Sequence, residues 1–138
     1  MRIALLLLAV TALIATAAAT PESPYKLFAT VQEIMTVFTV PHSDVIFNVS
    51  AEPPKDDEQW QNVQNSALIL AESGNLLLLP GRAPAENEEW TKQSQALIDA
   101  AIMASTAARE KNADNLAEAS DKLYESCTGC HEKYMDKR

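Results

Sequence analysis

A chain of 138 residues with formal net charge −8, 47% hydrophobic residues and two cysteines is one domain by length and too apolar and periodic to be disordered. Its acidity excludes charge-driven nucleic-acid binding, and two cysteines exclude a disulfide-stapled secreted scaffold. Three glycines and 6% aromatics argue against a β-sandwich or a glycine-rich nucleotide fold, while the dominant residues are good helix formers.

In chain order, Arg2 and the apolar run Ile3 to Ile14, followed by Ala17-Ala18-Ala19, predict a Sec-type signal peptide over residues 1–19. The run is short for a membrane span, and small residues follow it where a stop-transfer charge would stand. Its removal predicts a soluble, exported domain over 20–138. Losing Arg2 leaves ten basic against nineteen acidic residues, or −9. No other stretch has the length of a span.

Four amphipathic segments follow. Ser23 and Pro24 predict a helix start, and Leu27, Phe28, Val31, Ile34, Met35 and Phe38 have helical spacing within Tyr25 to Val40. Pro41 is expected to end or kink this helix. Val45, Ile46, Phe47 and Val49 form a short apolar piece beyond it. A second helix starts at Asp56 or Asp57, carries Trp60, Val63, Ala67, Leu70 and Ala71 on one face, and stops at Ser73-Gly74-Asn75. Leu76 to Leu79 and Pro80-Gly81 then read as an apolar strip and a turn. The third helix runs from about Glu86 to Lys111, its inner side marked by Trp90, Leu97, Ala100, Ala101, Ala104, Ala107 and Ala108. The fourth, Asn115 to about Met135, places Leu116, Ala119, Leu123, Cys127, Cys130 and Tyr134 on one face. The expected fold is all-α, an antiparallel four-helix bundle.

Cys127-Thr128-Gly129-Cys130-His131 is C-x-x-C-H, the attachment signature of c-type haem. Residues at i and i+3 share a helix face, so both thiols reach two vinyl groups of one porphyrin. His131 then lies close enough to ligate the iron. The expected cofactor is one covalent haem c, which itself implies attachment outside the cytoplasm and fits export to the periplasm. Three other uses of the cysteines compete, of which a local disulfide would be a poor use of a helix interior. A thioredoxin-type dithiol expects a strand before the motif and a helix N-terminus. A zinc site needs four ligands, for which only His42 remains.

With this motif on its last helix, the whole mature chain resembles the class II cytochromes c, the cytochrome c′ family. Glu89-Trp90 at the start of helix three and Ala117 to Tyr134 are similar to the corresponding family segments. The resemblance implies a four-helix bundle around the haem. Family members often carry an arginine four residues before the one facing the distal side; here Val31 replaces it and Met35 stands at the distal position. In low-spin members that residue is a methionine, which implies Met35 as the sixth ligand. By spacing alone Met35 is a core residue; Met103 and His42 are the other candidates. An occupied sixth position suits electron transfer, and an empty one suits capture of nitric oxide or carbon monoxide. Arg82, Lys133 and Lys137 are candidate propionate partners.

The chain carries no general acid–base pair and no nucleophile–base arrangement, so it reads as an electron carrier rather than an enzyme. A redox partner with a basic docking surface is the expected partner. The acids at Asp56 to Glu58 and Glu86 to Glu89 read first as helix-dipole complements. The resemblance also implies dimerisation through helices one and two, with which Phe28 and Phe38 are compatible.

Overall fold

The computed structural model describes residues 24–49, 52–84 and 88–135. The expected signal peptide, Ser23, Glu86 and Lys137 lie outside these residues. The fold is all-α, with four helices packed in antiparallel fashion. Among the described residues no helix is long and apolar enough to cross a membrane.

The first helix, α1, consists of three consecutive stretches: α-helical Val31–Ile34, a π-helical turn Met35–Thr39, and α-helical Val40–Asn48. It begins later than its apolar spacing predicts, because Thr30 closes a capping box. The Thr30 hydroxyl accepts from the Glu33 amide at 3.2 Å, and the Glu33 carboxylate accepts from the Thr30 amide at 2.7 Å. The residues before it are not helical. Arg82 donates to the Ala29 carbonyl at 2.6 Å, and Leu27 lies beside Gly81, so this stretch is pinned to the turn after the second helix. Phe28 is consequently 99% exposed rather than on a buried helical face. Pro41 does not end the helix. A proline lacks an N–H and clashes with the carbonyl four residues back. The widened turn just before it absorbs that conflict, with the Val40 amide donating to the Met35 carbonyl five residues back.

Glu33 sits below the ordinary carboxylate range, chiefly through its bond from the Thr30 backbone and then from the Thr30 hydroxyl. A depressed carboxylate stabilises the fold above its unfolded pKa, and that contribution fades as pH falls through the folded value. Thr30→Ala is therefore expected to lower stability by about 1 kcal/mol and to flatten the acid limb only in part, since the backbone amide, the larger cause, remains. Thermal unfolding from pH 7 down to pH 3 reads both effects.

Helix α2, Asp57–Leu77, is capped by Asp56, whose carboxylate accepts from the Gln59 amide at 2.9 Å. It runs through Ser73-Gly74-Asn75 instead of stopping there. These small residues form a helix crossing: a Cβ on Gly74 would lie 2.5 Å from Ile98 Cγ1. Ser73 turns its hydroxyl to the Leu70 carbonyl at 2.8 Å and receives the Thr39 hydroxyl at 3.2 Å. The chain then turns through Pro80-Gly81, where Gly81 takes φ +91°.

Helix α3, Glu88–Glu110, buries Trp90, Leu97 and the alanines 100, 101, 104, 107 and 108. Such small side chains let α2 and α4 approach closely. Lys111 at φ 52° and the Asn112 amide bonding the Ala107 carbonyl at 2.9 Å end this helix in a Schellman turn. Asn112 then caps α4, Ala113–Tyr134, accepting from the Asn115 amide at 3.0 Å. The α2–α3 and α3–α4 seams are extensive, whereas α1 meets α4 over only a small patch. The bundle is loosest there, and the motif cysteines lie on that side.

Candidate functional site

Cys127, Cys130 and His131 lie in the last two turns of α4. Both cysteines are free and half-buried; His131 is exposed. The hydroxyl of Ser126 turns back to the Leu123 carbonyl at 2.8 Å and that of Thr128 to Tyr124 at 2.9 Å. The neighbouring hydroxyls are thus satisfied within the helix.

All three motif side chains line one cleft of about 240 Å³. Its opposite wall is α1, through Met35, Thr39, Val40, Ser43, Asp44 and Phe47. Leu77, Gln93, Ser94 and Leu97 complete it from α2 and α3, so every helix contributes. The π turn keeps Met35 on the same wall as Ser43 and Phe47. A second, outer groove of about 430 Å³ is lined by Phe47, Tyr124, Cys127, Thr128, His131 and Glu132. The two spaces share Phe47, Cys127 and His131, and Phe47 meets Tyr124 edge-to-face at 6.3 Å between them.

The structure separates the other candidates. His42 does not line the cleft: its Nδ1 sits 3.3 Å from the Ser66 hydroxyl on α2. Met103 is exposed and also lines neither space. Arg82 is bonded to Ala29, and Lys133 lies over the Tyr134 ring at 5.6 Å. Among the described residues no three His, Cys, Asp or Glu side chains are grouped to hold a metal ion, so His42 does not complete a zinc site.

Sequence reasoning missed four contributors. Gln93 packs closely on α4: a Cβ on Gly129 would lie 2.8 Å from its Nε2, the mobile end of that side chain. Gln93 in turn donates to Glu89 at 2.6 Å. Thr39 and Ser43 supply hydroxyls, and Ser94, 2% exposed, lines the cleft as well. Helical phase relative to Trp90 and Leu97 places Gln93 and Ser94 on the inner side, but nothing local marks what they face. Behind the cleft, Trp90 donates to the Leu77 carbonyl at 2.9 Å and packs edge-to-face on Tyr134 at 5.2 Å. The Tyr134 hydroxyl is buried without a partner among the described residues.

Burial pushes the Cys127 thiol up, partly offset by a bond from Ser126. The Cys130 thiol is also raised, first by burial and then by neighbouring Cys127 and Glu89. Reactive dithiols require the opposite shift, typically from a helix N-terminus or nearby cations. In the haem-free chain at pH 8, both thiols are therefore expected to alkylate more slowly than in the unfolded chain. Iodoacetamide labelling followed by mass spectrometry, with and without denaturant, checks this. Compared with known protein families, curated proteins and solved structures, the chain matches none of them.

Proposed function

We propose that this chain is an exported monohaem c-type cytochrome of class II character, a carrier of single electrons with haem bound through Cys127 and Cys130 and iron ligated by His131. The observation that carries this reading is the shared cleft: two thiols and an imidazole on α4 face a thioether, Met35, on α1. The donor set fits the group. Cys127 and Cys130 would hold the group by thiol addition to its two vinyls, sulfur bonding one carbon and hydrogen the other, which would need no oxidant. His131 and Met35 would ligate the iron, and an imidazole with a thioether would raise its potential. Bound there, the haem supplies a centre that gains and loses one electron.

The remaining roles belong to the chain's own side chains. Val40, Phe47, Leu77 and Leu97 offer apolar walls that exclude water, while Thr39, Ser43 and Ser94 provide hydroxyls. Gln93 seats Gly129 and so fixes α4 beside α3. The elevated thiols disfavour the dithiol alternative. The leader-like first nineteen residues support a periplasmic location.

The test is the visible absorption spectrum of the chain exported from a host that matures c-type cytochromes. Sharp, separated bands on reduction are expected, together with haem that stays with the polypeptide on a denaturing gel. In a Cys127→Ser, Cys130→Ser variant all covalent haem should be lost. No haem band in wild-type protein, where a control cytochrome is matured, overturns the reading.

A further inference from the structure

The outer groove sits at the α1–α4 seam, beside the motif but open to solvent. Its centre is aromatic: Phe47 from α1 and Tyr124 from α4, the latter 64% exposed. At 3.6 residues per turn, Asp121, Tyr124, Glu125, Thr128 and Glu132 fall within an arc of roughly 100° on α4. All but half-buried Thr128 are exposed, and Asp44, three residues before Phe47 on α1 and a lining residue of the inner cleft, is exposed as well. Among the described residues, one of these carboxylates meets a cation. Val31–Asn48 contains no lysine or arginine. Lys122 is tied to Glu125 at 3.0 Å, and Lys133 points to the Tyr134 ring, about 180° round the helix from Tyr124.

These carboxylates differ from those at the helix starts. Asp56 caps α2, Asp57 pairs with Lys111 at 2.7 Å, and Glu89 holds Gln93. Asp44, Asp121 and Glu132 make no ion pair or side-chain hydrogen bond with any described residue. Their charge is therefore unspent on the fold and is presented around an apolar groove. An aromatic centre with a polar rim is the common anatomy of a protein interface, and redox encounters use small ones of this kind.

We infer that this face, centred on Phe47 and Tyr124 and rimmed by Asp44, Asp121, Glu125 and Glu132, docks a lysine-rich redox protein. The inference rests on the haem reading for its purpose, because Cys127 and His131 form the floor of the same groove. Charge sets the encounter rate and orientation, while the aromatic pair supplies contact area.

Two measurements on the exported, haem-bearing protein test it. In the first, a decalysine peptide is titrated into ¹⁵N-labelled protein at low salt. Shifts are expected to concentrate at Asp44–Asn48 and Asp121–Glu132, and an Asp121→Asn, Glu125→Gln, Glu132→Gln variant should bind roughly fivefold more weakly. Glu58→Gln, Glu72→Gln, on α2, should bind as wild type. In the second, reduction by hexaammineruthenium(II), a cation, should slow in the triple variant and with added salt. Reduction by the anion ferrocyanide should not slow in that variant.

Shifts centred on Asp56–Glu58 or Glu88–Glu89, or equal losses in both variants, overturn the assignment. So does a cationic reductant indifferent to the triple variant. The visible spectrum of the same sample reports the haem separately. A chain without haem that still binds decalysine at this face would sink the carrier function and leave the surface standing.

Discussion

Gly74→Leu is expected to destabilise the protein by about 3 kcal/mol, at the upper end of what overpacking a tight core contact produces. Even the first added carbon would lie 2.5 Å from Ile98 Cγ1 and 3.3 Å from the Ser94 carbonyl oxygen, which belongs to the backbone of α3. Neither atom is a free side-chain end that swings aside. The opposing term is smaller: leaving glycine in a helix interior gains up to ~1 kcal/mol of propensity. Overpacking therefore wins, and the melting temperature should fall by roughly 10 °C for a chain of this size. The double variant Gly74→Leu, Ile98→Ala moves bulk from one helix to the other. A rescue of roughly 1–3 kcal/mol relative to the summed single effects is expected from such neighbours. A Gly74→Leu protein that melts like wild type would mean the crossing is not tight.

That glycine also explains where sequence reading fails. Ser73-Gly74-Asn75 has the local chemistry of a helix stop, but the neighbouring helix decides its use. With Ile98 and Ser94 so close, only glycine fits, and the gain in packing outweighs its poor propensity. Pro41, expected to end or kink its helix, does not end it but follows a local break in its α-geometry. The rule that proline ends a helix assumes α-geometry before it, and one widened turn removes the clash. Tyr25 to Thr30 is different, because the correcting signal is present in the sequence. Thr30-Val31-Gln32-Glu33 has the spacing of a capping box, and it outranks the apolar periodicity that ran on upstream.

The rest of the bundle was legible because it is strongly periodic. The alanine face of α3 and the Leu116, Ala119, Leu123 face of α4 are buried as their spacing requires. Cys127, Cys130 and His131 were legible as a contiguous motif, and the cleft brings Met35 to face them. Gln93, Ser94, Thr39 and the Phe47–Tyr124 pair were not. Each acquires its role only when four helices assemble, and no short stretch of sequence encodes which residue lies across a seam.

Met35→Ala is the variant with the largest expected effect on the proposed chemistry. Met35 lies half-buried at the widened turn of α1, on the wall opposite the motif, and it is the one thioether lining the cleft. If it supplies the sixth ligand, wild-type protein gives sharp low-spin bands and does not bind carbon monoxide at modest concentration. Removing the thioether opens that position. The reduced bands should broaden and merge, carbon monoxide should now shift them, and the potential should fall by on the order of 100 mV, a fraction of the range that axial ligands span. Met35→Leu separates ligation from packing: it keeps the apolar volume and the stability but should reproduce the spectral change. Low-spin bands that persist in both variants would remove Met35 from the coordination sphere. Wild-type protein that already binds carbon monoxide would favour gas capture over electron carriage, with Ser94 buried in the wall of the same cleft.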